Sequence, residues 1–221
     1  MSVEKRLRWG LPRGVEVCLA ITGLVFAAPI FVVCAVLIKL NSAGPVVFRQ
    51  KRIGMFGREF VLFKLRTMGT EHKGAMITAA GDYRVTKVGK ILRRTKIDEL
   101  PELWNVLRGD MSFVGPRPEV PEYVDLTDPA WAEILEHRPG ITDPVTLRLR
   151  NEEQILARVV DKETFYRDVI QPYKLRGYLK FVREKSWKTD LRIIGRTLRA
   201  VAFPETVKAP SKEEMQLSFA E

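Results

Sequence analysis

Two carboxylates stand side by side at Asp98-Glu99, inside the run RRTKIDELP that begins at Arg93. Arg93, Arg94 and Lys96 lie just upstream of the pair. A structural role accounts for part of this pattern. Asp is a favoured helix N-cap, Glu suits a first turn, and Pro101 is tolerated there. A chemical role accounts for the same residues differently. The cations and a helix N-terminus would keep both carboxylates ionised and would also attract phosphate. Adjacent carboxylates suit a hard ion such as Mg²⁺, and so suit phosphoryl transfer. An Asp carboxylate can also attack phosphorus itself to give an acyl phosphate. Arg117, between Pro116 and Pro118, is carried on stiff backbone, so its planar guanidinium would grip a phosphate with little loss of entropy. Standing alone, it reads equally well as a surface Arg in a Pro-rich turn. Lys64 and Arg66 are two apart on an expected strand and so share one face. Taken together, these cations need an anion.

Periodicity identifies the elements that would position them. VVFRQKRIG and REFVLFKLRTM, separated by Gly54-Met55-Phe56-Gly57, read as a β-hairpin carrying Lys64. Residues 70–84 are polar with Gly and Ala, and read as a mobile loop. Over residues 86–107 apolar positions recur three or four apart, which predicts amphipathic helices on either side of a break at 95–98. Arg108-Gly109-Asp110 is a helix stop, and Gly115-Pro116-Arg117-Pro118 is an extended, stiff segment. Residues 120–137 and 152–184 read as further helices. Residues 192–202 form a basic amphipathic stretch that either lies on a membrane surface or packs as an ordinary surface helix. Residues after Pro204 read as a polar tail. His72 and His137 belong to no ligand cluster and read as surface residues.

Between Glu16 and Lys39 no charge occurs: 22 residues, 17–38, a helix about 30 Å long and enough to reach across a bilayer core. The run is longer than the apolar core of a cleavable signal, and no small-x-small site follows it. Pro29, after Ala28, removes a hydrogen bond near its middle and predicts a kink. Both flanks are basic, with Lys5, Arg6, Arg8 and Arg13 before and Arg49, Lys51 and Arg52 after. A single crossing leaves one basic flank on the wrong side. A re-entrant helix that bends at Ala28-Pro29 and leaves by the face it entered satisfies both. A bitopic helix with a tolerated proline stays open. Cys18 and Cys34, inside the segment, read as small apolar residues.

Composition narrows the classes. In 221 residues there are 37 Lys and Arg against 27 Asp and Glu, a net charge of +10, with 46% hydrophobic residues. That much apolar material excludes a wholly disordered chain, and one apolar run excludes a polytopic membrane protein. Two Cys and two His exclude a disulfide scaffold or a four-ligand Cys/His zinc module. The basic excess points to an anionic partner, and no DNA-reading motif is recognisable.

The run KVGKILRRTKIDELPELWNVLRGDMSFVGPRPE, with FRQKRIGMFGREFVLFKLRTM before it, resembles the bacterial sugar transferase family, the monotopic phosphoglycosyl transferases that start assembly of lipid-linked glycans and exopolysaccharides. The likeness runs from Ala28-Pro29 through RPGIT at Arg138 and more weakly to about Arg199. It implies an α/β (α+β), helix-dominated catalytic domain over 41–203, a re-entrant membrane helix within 1–40, and a tail over 204–221. It further implies an enzyme at the cytoplasmic face of the bacterial inner membrane. Such an enzyme moves a sugar-1-phosphate from a UDP-sugar to undecaprenyl phosphate with Mg²⁺, releasing UMP. Asp98 would be the nucleophile and Glu99 its assistant, with either holding the metal. Arg93 and Arg117 would grip phosphate, and Lys64 matches a basic position after the hairpin. A homodimer is left open. One departure concerns the sugar. Where many relatives continue Gly-x-Ala-Gln-Val-Asn-Gly-Arg after RPGIT, this chain reads Asp143-Pro144-Val145-Thr146-Leu147-Arg148. The competing reading is a membrane-anchored basic protein that binds anionic lipid without catalysis. It explains the charge and the apolar run but not the DELP or PRP strings.

Overall fold

The computed structural model describes residues 10–69 and 77–216. Lys5, Arg6, Arg8, His72 and the first part of the expected 70–84 loop lie outside these residues. The fold is helix-dominated, with two small sheets.

Helix α1, Arg13–Asn41, is 29 residues long and is long and apolar enough to cross a membrane. It runs without interruption through Ala28 and Pro29, so the bend expected there does not break it. Its side chains sort by face. Ala20, Ala27, Cys34 and Ile38 are buried, seven or fewer residues apart, while Val25, Phe26, Val32 and Leu40 are exposed. The buried stripe packs on the rest of the chain along the helix's whole length, against Leu62, Val106 and Met111 at one end and Leu65 and Leu92 at the other. Both ends are also tied by polar bonds. Near the start, Arg13 donates to the carbonyls of Val106 and Leu107, and Glu16 accepts from Phe113 N at 3.2 Å. At the far end Arg66 donates to Ala43 O at 2.5 Å and Ser42 O at 2.7 Å. Those carbonyls lie past the last helical hydrogen bonds and need outside donors.

The hairpin forms as expected: β1, Val47–Ile53, pairs antiparallel with β2, Glu59–Leu65, around a loop in which Gly57 takes φ 72. Because β2 ends at Leu65, Arg66 does not share a strand face with Lys64; it is buried as the anchor of α1. Helix α2, Lys87–Thr95, starts on a Thr86 cap, ends at Lys96 in the left-handed region, and is followed by a 3₁₀ turn over Ile97–Glu99. Helix α3, Glu102–Arg108, stops at Gly109 with φ 91. Strand β3, Ser112–Val114, and β4, Gly140–Thr142, pair parallel. Their crossover needs glycine: a Cβ on Gly140 would sit 2.0 Å from Gly115 N.

Two expected elements are corrected. Residues 120–137 are not one helix but a 3₁₀ turn, Pro121–Tyr123, and a short α4, Pro129–Ile134, because Asp128 caps a new start with Pro129 behind it. The expected 152–184 helix is divided into α6, Glu152–Leu156, α7, Lys162–Phe165, a π-helix, Tyr166–Ile170, and α8, Gln171–Glu184. The capping carboxylate of Asp161, which accepts from Thr164 N at 3.1 Å, starts the second piece. Between β4 and α6, α5 spans Pro144–Arg148. Helix α9, Trp187–Ala202, begins on a Ser186–Thr189 capping box. Of the expected polar tail, the described part includes α10, Lys212–Gln216, which sets Met215 into the main core.

Candidate active site

The hairpin, the α2–α3 turn and the Pro-flanked strut converge on one open cavity of about 1460 Å³. That exceeds the usual small-molecule pocket and leaves room for a nucleotide sugar together with a second phosphate. Lys64, Arg93, Asp98, Glu99 and Arg117 all line it; every candidate residue of the soluble domain is therefore brought together, while Ala28 and Pro29 lie in exposed positions on α1.

Asn105 explains how β2 is aligned with the dyad. Fully buried on α3, it accepts from Phe63 N at 3.1 Å and donates to Val61 O at 2.7 Å, so it completes the backbone bonds of β2 on both sides of Leu62. Lys64, next along the strand, then reaches Glu99 Oε1 at 3.2 Å and Glu102 Oε1 at 3.3 Å. Glu99 also receives Arg117 Nη2 at 2.5 Å, and Arg117 Nη1 donates to Ile141 O at 3.3 Å. Arg93 faces the cavity differently. Its Nε donates to Thr67 Oγ1 at 2.9 Å and its Nη1 pairs with Glu153 at 2.6 Å. Gly89 permits that approach, since a Cβ there would sit 2.0 Å from Thr67 O.

The surroundings push the two dyad carboxyls in opposite directions. Burial acts to raise Glu99, but Arg117 and Lys64 outweigh it and hold its carboxyl well below the usual range. Asp98 is pushed up, first by burial and then by the neighbouring Glu99 charge, with Lys64, Lys96 and Arg93 opposing. Nor does Asp98 act as a helix cap. It sits in the 3₁₀ turn, α3 starts after Pro101 without a side-chain cap, and Asp98 Oδ1 is buried with no hydrogen-bond partner. A buried acceptor left unpaired costs free energy that a cap would have recovered, so capping does not account for this residue.

Glu102, 1% exposed, is a third carboxylate at this site that sequence reading missed. Its position four residues after Asp98 was the available signal. Glu119, Glu152, Glu153 and Lys174, also on the cavity wall, carried no periodic signal at all. The expected site of sugar choice falls here too. Asp143 caps α5 through Val145 N at 2.7 Å and Thr146 N at 2.9 Å, and Thr146 and Arg150 line the cavity. No group of three metal-ligating side chains occurs among the described residues.

Residues 7–204 match the family described as bacterial sugar transferase. The chain is similar to a UDP-N-acetylgalactosamine-undecaprenyl-phosphate N-acetylgalactosaminephosphotransferase of Aeromonas hydrophila, with 44% identity over 137 residues, covering 60% of this chain and 32% of the relative. A UDP-glucose:undecaprenyl-phosphate glucose-1-phosphate transferase of Caulobacter vibrioides is 43% identical over 161 residues, 70% of this chain and 60% of the relative. A protein of the same description from Escherichia coli is 36% identical over 193 residues, 83% of this chain and 38% of the relative. The chain thus spans a third to three-fifths of these relatives' lengths.

Proposed function

The chain belongs to the bacterial sugar transferase family, and on that premise we propose that it transfers a sugar-1-phosphate from a UDP-sugar to undecaprenyl phosphate. The observation that carries this reading is Asp98: a buried carboxylate with one unpartnered oxygen on the wall of a cavity whose cations suit phosphate. In the first step an Asp98 oxygen attacks the donor's β-phosphorus. The bond from that phosphorus to the bridging oxygen breaks, its electron pair leaves on UMP, and the sugar phosphate stays on Asp98 as an acyl phosphate. In the second step a phosphate oxygen of undecaprenyl phosphate attacks the same phosphorus. Asp98 leaves as a carboxylate, and undecaprenyl-diphosphate-sugar is formed.

Glu99 stays ionised throughout and holds Arg117 and Lys64 beside the reacting phosphoryl group, where charge and alignment matter more than a strong base. Arg93 exchanges Glu153 for donor phosphate. Mg²⁺ fits the donor set, because it binds through one or two carboxylates plus substrate phosphates and Asp98 Oδ1 is free to take it; Asp98 and Glu99 would hold it, and it would neutralise phosphate charge. Thr146 and Arg150, which also line the cavity, contribute to sugar choice.

The protein sits in the cytoplasmic leaflet of the bacterial inner membrane. What supports this reading is that both ends of α1 are bonded to the same polar domain, which favours a helix that enters and leaves by one face. Its exposed apolar side chains meet lipid. So do Trp187, Leu191 and Leu198, exposed on α9 beside the exposed Arg192, Arg196 and Arg199, the arrangement of an interfacial helix. The test is UMP release by nanodisc-held protein given undecaprenyl phosphate, Mg²⁺ and a panel of UDP-sugars. Wild type should release UMP with one or two donors and Asp98→Asn with none. Equal release by both would exclude Asp98 as nucleophile, and none by folded wild type with any donor would overturn the reading.

A further inference from the structure

The cavity wall carries a second buried charge cluster to which the two transfer steps give no task. Lys174, on α8, is 7% exposed. Its ammonium meets three oxygens from three segments: Glu152 Oε2 at 3.0 Å, Tyr166 Oη at 3.0 Å and Glu119 Oε1 at 3.3 Å. An ammonium has three protons, so this lysine is fully partnered and has none to offer a ligand. Buried ion clusters are weak stabilisers compared with apolar residues of similar size, and what Lys174 holds suggests another use.

Glu119 is two residues from Arg117. Its carboxylate accepts from Tyr166 at 2.7 Å and faces Arg52 at 3.8 Å, while its carbonyl accepts from Ile53 N at 2.9 Å. Arg52 in turn donates to Pro118 O at 3.0 Å. The strut bearing Arg117 is therefore fastened through both its backbone and Glu119. Tyr166 is the first residue of the π-helix, a geometry frequent at functional sites. On the other side of Lys174, Glu152 is followed by Glu153, which pairs with Arg93. Three sets of ion pairs, Arg117–Glu99, Glu119–Lys174–Glu152 and Glu153–Arg93, are thus joined by short backbone links at 117–119 and 152–153.

We propose that Lys174 is a positioning residue for the transfer, holding Glu119 to Glu152 so that Arg117 is set against Glu99 in the same frame as Arg93. This rests on the phosphoglycosyl transferase reading of the site. Lys174 touches no substrate and acts through Arg117.

A double-mutant cycle on UMP release tests it. Lys174→Met should lower kcat on the order of tenfold to a hundredfold, the range that small misplacements cost. In an Arg117→Lys background, where the two-pronged grip is already lost, the same change should alter kcat by no more than about twofold. Lys174→Arg, which keeps the charge, should fall between Lys174→Met and wild type. If Lys174→Met does not fold, Glu152→Gln runs the same cycle with a milder loss. Equal losses in both backgrounds would overturn the proposal, since general destabilisation removes the same factor whatever stands at 117. Absence of UMP release by folded wild type would overturn the underlying reading as well, whereas release with additive losses overturns this inference alone.

Discussion

Asp98 and Glu99 show how two neighbouring carboxylates acquire different chemistry from their surroundings. Glu99 has two cations in contact through Oε1, Arg117 and Lys64. Asp98 has none in contact among the described ion pairs and hydrogen bonds, and keeps a free oxygen. Lys64 is the shared support, since it bridges Glu99 and the fully buried Glu102. Removing one partner of a buried ion cluster leaves uncompensated charge, at a cost of about 3–5 kcal/mol. Lys64→Met should therefore lower the melting temperature and reduce UMP release by more than Lys64→Arg does. A Lys64→Met protein that melts and turns over like wild type would show that Glu99 needs only Arg117.

At the scale of elements, the site depends on close backbone approaches. Helix α2 lies against Thr67 only because residue 89 has no Cβ, and that contact aligns Arg93 with Thr67. Gly89→Ala places a carbon 2.0 Å from a carbonyl oxygen, so α2 has to shift, with a loss of roughly 1–3 kcal/mol or more. UMP release should fall with it. Gly14→Ala is the matched control. Nothing lies within 4 Å of a Cβ there, and replacing a helical glycine stabilises by roughly 0.5–1 kcal/mol. Thermal unfolding of the two variants should thus move in opposite directions.

For the whole molecule, the two ends of α1 report topology. With Cys18 and Cys34 replaced by Ser, single cysteines at Gly14 and Lys39 should both resist a membrane-impermeant maleimide in intact cells and both react in inverted vesicles. Labelling of one position from each side would establish a crossing helix. The buried charge cluster also makes stability depend on pH. Burial opposes ionisation of Glu119, but Lys174 and Arg52 hold its carboxyl below the ordinary 4.5. A depressed carboxyl contributes stability that is complete above its unfolded value and is lost as pH falls through its folded value. The difference in melting temperature between wild type and Glu119→Gln should be largest near neutral pH and close as pH falls below about 4.5.

Local signals in the chain sufficed for the hairpin, the α2–α3 break at Lys96, the apolar helix and the DELP string whose Asp98 and Glu99 line the cavity. Each rests on a period, a turn residue or an ordered motif, and such signals act over a few residues. The same locality explains the misreadings. Residues 120–137 and 152–184 keep helical periodicity across breaks that Asp128 and Asp161 impose by capping. Arg66, two residues after Lys64, reads as sharing its strand face until the strand ends between them. Tertiary structure alone decided that Asp98 is buried and uncapped while Glu99 is paired. It alone bonded both ends of α1 to one domain, and it alone joined Glu119, Lys174 and Glu152 across as many as 55 residues of chain. Burial and ion pairing depend on which distant segments meet, and adjacency in the chain carries no record of that.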